Sequence, residues 1–352
     1  MLIVDAHEDI AWSALTWGRD IRRSALETRR LEADTQVAEQ AGLCMLGLPE
    51  WLEGRIALVF GTIFALPQGH GPADVDSYAT AEEAHALAQA QLDYYHRLAG
   101  DLPQVRLVGS RADLEGTLQS WAGDEPRVGI LPILEGADPI REPGEAEKWF
   151  ERGLRAVGLA WRAGSRYAGG DASPGRLTDS GRELLEVMAG LGLILDVSHL
   201  AEESLHEALD SFEGQLMASH SNPQARVKGP RQLSDETIRR LAERDGVIGI
   251  VAFNPFLKPG WRKGDPKEAV TSADVAGAID HVCQVVGDAD HAGLGSDFDG
   301  GFGAESAPAG MDTIADLQRV GDALSDLHYD EAQIAAILGG NWLRLLRRSL
   351  PE

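Results

Sequence analysis

The residues Asp5-Ala6-His7-Glu8-Asp9 follow the apolar run Leu2-Ile3-Val4. On an extended strand, residues two apart point to the same side, so His7 and Asp9 can grip one metal ion together. Glu135, His199, His220 and Asp297 also stand at the ends of apolar runs. Imidazole nitrogen and carboxylate oxygen suit Zn²⁺ or a similar borderline divalent ion. A lone strand histidine is ordinarily a satisfied core residue, and a lone aspartate before a helix is ordinarily a cap. The recurrence of such groups at one kind of place is what points to coordination. The set is too large for one tetrahedral site. Two ions bridged by a carboxylate, about 3.5–4 Å apart in such pairs, match the count better. Glu135 is the natural bridge, because each of its two oxygens can serve one ion.

Gathering these groups demands a fold in which many strand ends converge. Apolar, β-branched runs recur at Leu2–Ala6, Ile56–Phe64, Val128–Leu134, Ala156–Trp161, Leu193–Val197, Leu216–Ser219, Val247–Phe253 and Ala292–Ser296, with a further short run at Val105–Gly109. Helical patterns separate them: Ala81–Leu98, Ser180–Gly190 capped by Asp179 or Ser180, a segment capped by Ser234 that runs to Arg244, Ser272–Val286 and Met311–Leu324. Strands alternating with helices imply a parallel sheet. About eight such units over roughly 250 or more residues predict an α/β fold of the (β/α)8 TIM-type barrel class. Asp330–Leu338 and Asn341–Leu346 add extra C-terminal helices. An open doubly wound sheet is the alternative, but no Gly-x-Gly-x-x-Gly follows the first strand. No Pro- or Ser-rich linker divides the chain, so residues 1–352 read as one domain. In such a barrel the C-terminal strand ends form the face where sites are built. That face would collect the six groups above with Asp196, Ser198 and Asp299. The segment from Pro255 to Val270 reads as a mobile loop over the mouth. His281 and His291, like the other remaining histidines, read as ordinary structural residues, with a place behind the ligands of the last strand as the alternative.

The chain has 352 residues, 43% of them hydrophobic, and a formal charge of −24. Such acidity argues against a nucleic-acid partner, because phosphate contacts need clustered Lys and Arg, and it disfavours an anionic membrane surface. No stretch reaches the roughly 18 apolar residues of a membrane span. The N-terminus lacks the basic segment and long apolar run of a secretory signal. Cys44 and Cys283 are the only cysteines and form no Cys-x-x-Cys, which fits a reducing cytoplasm.

The pieces Asp5-Ala6-His7-Glu8-Asp9, Glu135-Gly136, Leu195-Asp196-Val197-Ser198-His199, Ser219-His220-Ser221-Asn222, Arg231-Gln232-Leu233-Ser234-Asp235, Gly293-Leu294-Gly295-Ser296-Asp297-Phe298-Asp299-Gly300 and Gly339-Gly340-Asn341-Trp342-Leu343-Arg344 run in order through the chain. Together they resemble the membrane dipeptidase (renal dipeptidase, dehydropeptidase) family of zinc metallopeptidases, among the amidohydrolase-like barrels. The resemblance implies hydrolysis of a dipeptide amide bond, often with a D-residue on the C-terminal side, through a metal-activated bridging water. It implies two Zn²⁺ or similar divalent ions, one held by His7, Asp9 and Glu135 and the other by Glu135, His199 and His220. Asp297 would shuttle the proton. Arg231 would pair with the substrate's terminal carboxylate, which an arginine fork suits. A homodimer is also implied.

The pattern departs at one place. The family's well-studied peptidases carry a His after the fourth strand that helps stabilise the tetrahedral intermediate. Here Gly158-Leu159-Ala160-Trp161-Arg162 puts Trp161 there. An indole donates one N–H and carries no charge, so either Arg162 or Arg166 substitutes or the substrate differs. Trp12, Trp17, Phe64, Trp161, Arg162, Tyr167 and the loop from Pro255 to Val270 are candidates for substrate contact. Other readings are a related amidohydrolase acting on another carboxylate-bearing amide, and a metal-binding, non-catalytic homologue. Barrels of this type that use a carboxylated lysine as bridge are a poorer match, because none of the five lysines ends a strand where Glu135 does.

Overall fold

Strands buried on both faces read as continuous apolar sequence, and the apolar runs of this chain fold in that way. A computed structural model describes residues 1–352. Its strands are β1 (Ile3–Glu8), β2 (Ile56–Phe64), β3 (Val105–Leu107), β4 (Val128–Glu135), β5 (Ala156–Gly158), β6 (Ile194–Asp196), β7 (Leu216–Ala218), β8 (Val247–Ile250) and β9 (Ala292–Leu294). Neighbours run β2-β1-β9-β8-β7-β6-β5-β4, and β4 returns to pair with β2 from Leu58↔Gly129 to Phe64↔Glu135. This closes a parallel barrel of the expected (β/α)8 type. The short β3 pairs only with the start of β4 and is not part of the ring.

Two apolar layers hold the barrel. The inner one takes alternate residues from successive strands, among them Val4, Ala6, Leu58, Phe60, Leu131 and Ile133. It also includes Trp342, Leu345 and Leu346 from the last helix, Asn341–Ser349. The Trp342 ring meets Phe60 edge-on at 5.4 Å, and its indole N–H donates to the Leu294 carbonyl at 3.0 Å. The extra C-terminal helix thus plugs the barrel from the end opposite the site. The outer layer packs the strands against the surrounding helices.

Several elements differ from the sequence expectation. Four short helices, Ile10–Trp17, Ala25–Glu32, Val37–Ala41 and Leu48–Glu53, fill the connection from β1 to β2, a segment left without elements in the sequence reading. β5 stops at Gly158, which leaves Trp161 in the following loop. Thr178, not Asp179 or Ser180, caps its helix by accepting from Gly181 N–H at 3.0 Å, whereas Ser234 caps as expected through Thr237 N–H at 3.1 Å. The segment after Pro255 is anchored rather than loose. It carries helical turns at Asn254–Leu257 and Lys267–Ala269, and Trp261 is buried. No helix is long and apolar enough to cross a membrane.

Candidate metal centre

Each of the six groups is delivered by a strand end and a local backbone device. Glu135 is the last residue of β4, in register with Phe64 of β2 and Gly158 of β5. Gly136, at φ 80°, turns the chain away immediately afterwards. His199 and Asp297 themselves adopt positive φ, 64° and 61°. That region is uncommon for residues with a Cβ and clusters at functional sites. His7 lies within β1, its carbonyl accepting from Asp297 N–H at 3.1 Å, which ties the first strand end to the last. Gly300 sits against both carboxylates: a Cβ there would collide with Asp297 Oδ1 and Asp9 Oδ2.

The groups form three overlapping triads, His7–His220–Asp297 and two that share Glu135. Its Oε1 lies 3.1 Å from His199 Nε2 and 3.3 Å from His220 Nε2. Its Oε2 lies 3.8 Å from His7 Nε2, which is also 3.8 Å from Asp9 Oδ2. Asp297 Oδ1 is 4.0 Å from the same nitrogen. Each oxygen of one carboxylate therefore addresses a different set of donors, and the triads Glu135–His199–His220 and His7–Asp9–Glu135 can each hold an ion.

The hydrogen bonds behind the histidines decide which nitrogen is bare. His199 Nδ1 lies 2.7 Å from Asp171 Oδ2; a carboxylate accepts, so that nitrogen carries the proton. Ser219 Oγ donates to Asp196 Oδ2 at 2.5 Å and lies 2.7 Å from His220 Nδ1 and 3.2 Å from His7 Nδ1. With its own proton committed, the hydroxyl accepts from both rings. All three Nε2 atoms are then lone pairs turned to the centre. His199 Nε2 and His220 Nε2 face each other at 3.0 Å, and His7 Nε2 is buried with no hydrogen-bond partner. Opposed lone pairs repel unless a cation lies between them, so the residues present fit a metal centre.

Electrostatics agree. Burial, then Arg231, brings the His199 imidazole down to about 4. Burial also lowers His7 and His220, keeping all three rings neutral, as ligation requires. Burial, then Asp299, pushes Asp9 up to about 7. Burial and the neighbouring carboxylates raise Glu135 and Asp297 well above the ordinary range. Carboxylates crowded in this way are what a bound cation would relieve.

Other polar strand-end residues have supporting places. Asp196 accepts from Ser198 N–H at 3.0 Å and Ser219 N–H at 2.9 Å. Asp299 turns away from the cup to Met45 N–H at 2.8 Å and Arg19 at 3.4 Å. Glu8 points outward and accepts from the Trp51 indole at 2.9 Å. His291 precedes β9 and bonds the Gly246 carbonyl at the far end of the barrel, and His281 bonds Asp235 on the outer helices. Neither stands behind the centre.

A cleft of about 300 Å³ opens above the carboxylates, lined by Asp9, Glu135, His199 and Asp297 among others. Trp12, Trp17, Phe64, Trp161 and Arg162 line it as expected, and Phe253, Phe256, Phe302 and His70 join them. Tyr167 does not: it is buried, with its hydroxyl bonded to the Ile140 carbonyl. No lysine lines the cleft. Arg231 lies beside it, in a smaller recess with His199 and Ser221. Its guanidinium donates to Ser221 Oγ at 2.9 Å and to the His220 carbonyl at 2.5 Å, while Nε makes no hydrogen bond and is ion-paired with Asp171 Oδ2 at 3.6 Å. Arg166 is occupied by the Asp138 and Arg141 carbonyls. Arg162 is exposed on the cleft, and no carboxylate pairs with it.

Residues 1–350 match the family model for membrane dipeptidase (peptidase family M19). The chain belongs to this family. It is 28% identical over 260 residues to a protein in the pqqA 5′ region of Klebsiella pneumoniae, covering 71% of this chain and 91% of that one. It spans 51%, 62% and 59% of the length of three further curated relatives. Among solved structures, the probable dipeptidase PvdM from Pseudomonas aeruginosa aligns with a TM-score of 0.80 at 22% identity, over 98% of this chain and 94% of that one. A metallo peptidase from Rhodobacter sphaeroides, liganded with a phosphinate mimic of L-Ala-D-Ala, aligns with a TM-score of 0.79 at 24% identity, over 99% of both chains. The family is one of metal-dependent dipeptidases, and this chain has its barrel throughout.

Proposed function

We propose that this M19 dipeptidase works with two divalent ions, zinc or a similar metal, bridged by Glu135. His7 and Asp9 would hold one ion with it, and His199 and His220 the other. The observation that carries the reading is the pair of bare Nε2 atoms facing each other across 3.0 Å beside Glu135 Oε1. When bound, ions there supply Lewis acidity toward a peptide carbonyl and toward water.

The chain's own residues do the rest. Asp297, poised at the cleft floor with its carboxyl raised by burial and Asp9, takes the proton of the attacking water and returns it to the leaving amine. Arg231 pairs with the terminal carboxylate through its guanidinium, fixing the scissile bond over the carboxylates. Arg162 is the free cation that supports developing oxyanion charge in place of the missing His, since Arg166 is engaged elsewhere. Trp161 covers this side of the cleft and limits water. A dipeptide substrate, including L-Xaa-D-Xaa, is supported by the ligand of the Rhodobacter sphaeroides relative. Two free, buried cysteines support a cytoplasmic setting. A homodimer, testable by sedimentation, is part of the same reading.

The test is turnover of L-Xaa-L-Xaa and L-Xaa-D-Xaa dipeptides by the metal-loaded protein and by Asp297→Asn. The expected result is cleavage by the parent and unchanged metal content in the variant, with turnover reduced about 10²–10⁴-fold. A fully active Asp297→Asn protein would remove Asp297 from this role.

A further inference from the structure

Two separate aromatic groups line the cleft together with the carboxylates. In the first, Trp12 meets Phe64 at 6.1 Å, Phe64 meets Trp161 at 5.2 Å, and Trp161 reaches His199 at 6.2 Å. In the second, Phe253 stacks on Phe302 at 4.3 Å and meets Phe256 at 5.1 Å. Ring contacts run within each group, and none joins the two. The first wall comes from the helix after β1, the end of β2 and the loop after β5, the second from the segments after β8 and β9.

Arg231 belongs to the second side, its guanidinium carbon 5.7 Å from the Phe256 ring centroid. A dipeptide whose carboxylate docks on Arg231 therefore sets its carboxyl-terminal residue toward the phenylalanines. Its amino-terminal side chain then extends across the reacting groups, onto Trp12, Phe64 and Trp161. Trp12 and Trp161 are only partly buried, so their rings remain available to a ligand. The rim of this wall is cationic: the Arg162 guanidinium carbon lies 5.9 Å from the Trp161 ring. Large planar apolar groups gain most from such a surface, and a basic side chain would meet Arg162 as a like charge.

Resting on the dipeptidase reading, we infer that the Trp12–Phe64–Trp161 wall selects dipeptides whose amino-terminal residue carries a large apolar side chain, aromatic above all. One hydrophobic contact of this kind discriminates by about 10–200-fold. The test is kcat/KM of the metal-loaded full chain on L-Phe-L-Ala, L-Leu-L-Ala, Gly-L-Ala and L-Lys-L-Ala. The expected order is Phe and Leu above Gly and Lys by at least about tenfold, with the ratio falling toward unity in Trp161→Ala and, as a second variant, Trp12→Ala. Equal kcat/KM across the series, or an unchanged ratio in both folded variants, overturns the selectivity alone. No turnover of any member overturns the dipeptidase reading and this inference with it.

Discussion

Ser219 Oγ donates a hydrogen bond to Asp196 Oδ2 and accepts from the rings of His7 and His220. One hydroxyl thereby orients an imidazole in each triad. Ser219→Ala would free both rings and leave Asp196 short of a donor. Outer partners of this kind are typically worth 10–100-fold in metal affinity. Chelator competition should show a loss of about that size, with Ser219→Thr keeping most of the affinity. Protonation acts at the same scale. With the Asp9 carboxyl near 7 in the metal-free protein, protons compete with cations below neutrality. Affinity should therefore fall as pH drops through about 7, well above the range of an ordinary aspartate. Binding should release protons, measurable by calorimetry in buffers of different ionisation enthalpy. The six central groups were legible in the sequence because His, Asp and Glu at the ends of apolar runs are chemically conspicuous. Ser219 and Asp171 were not. A serine next to a histidine has no signature of its own, and Asp171 arrives from a loop that sequence pattern does not place.

At the scale of elements, the site depends on turns that immediately follow short strands. Gly300→Ala would drive a Cβ into Asp297 and Asp9. The expected outcome is loss of metal content with little change in far-UV circular dichroism, because the collision lies in the centre and not in the core. The barrel strands were readable because burial on both faces writes itself as unbroken apolar runs. The helices between β1 and β2 were not. Ile10–Trp17 is apolar nearly all round, and the next three are eight residues or shorter, so 3.6-residue periodicity has little length in which to appear. The segment from Pro255 to Val270 reads as a mobile loop from Gly260, Gly264 and an isolated Trp261. Trp261 pins it through burial and a hydrogen bond to the Pro266 carbonyl at 3.2 Å. His70 lines the cleft although an isolated histidine away from any strand end reads as an ordinary structural residue. Its place against Trp161, 6.0 Å between centroids, exists only in three dimensions.

For the whole molecule, the last helix closes the barrel that the first strand opens. Trp342 is fully buried, packed on Phe60 and bonded to Leu294. Trp342→Ala should cost about 3–5 kcal/mol in urea unfolding. As proposed above, this barrel gathers donors from strand ends far apart in sequence into one two-ion centre that cuts dipeptides. The direct measurement is a titration of metal-free protein with Zn²⁺, following bound metal and dipeptide turnover together, for the parent chain and for Glu135→Gln. Two ions per chain, with turnover developing as both sites fill and both properties impaired in Glu135→Gln, is the predicted result. A single ion per chain, or two ions and full turnover in Glu135→Gln, would contradict it.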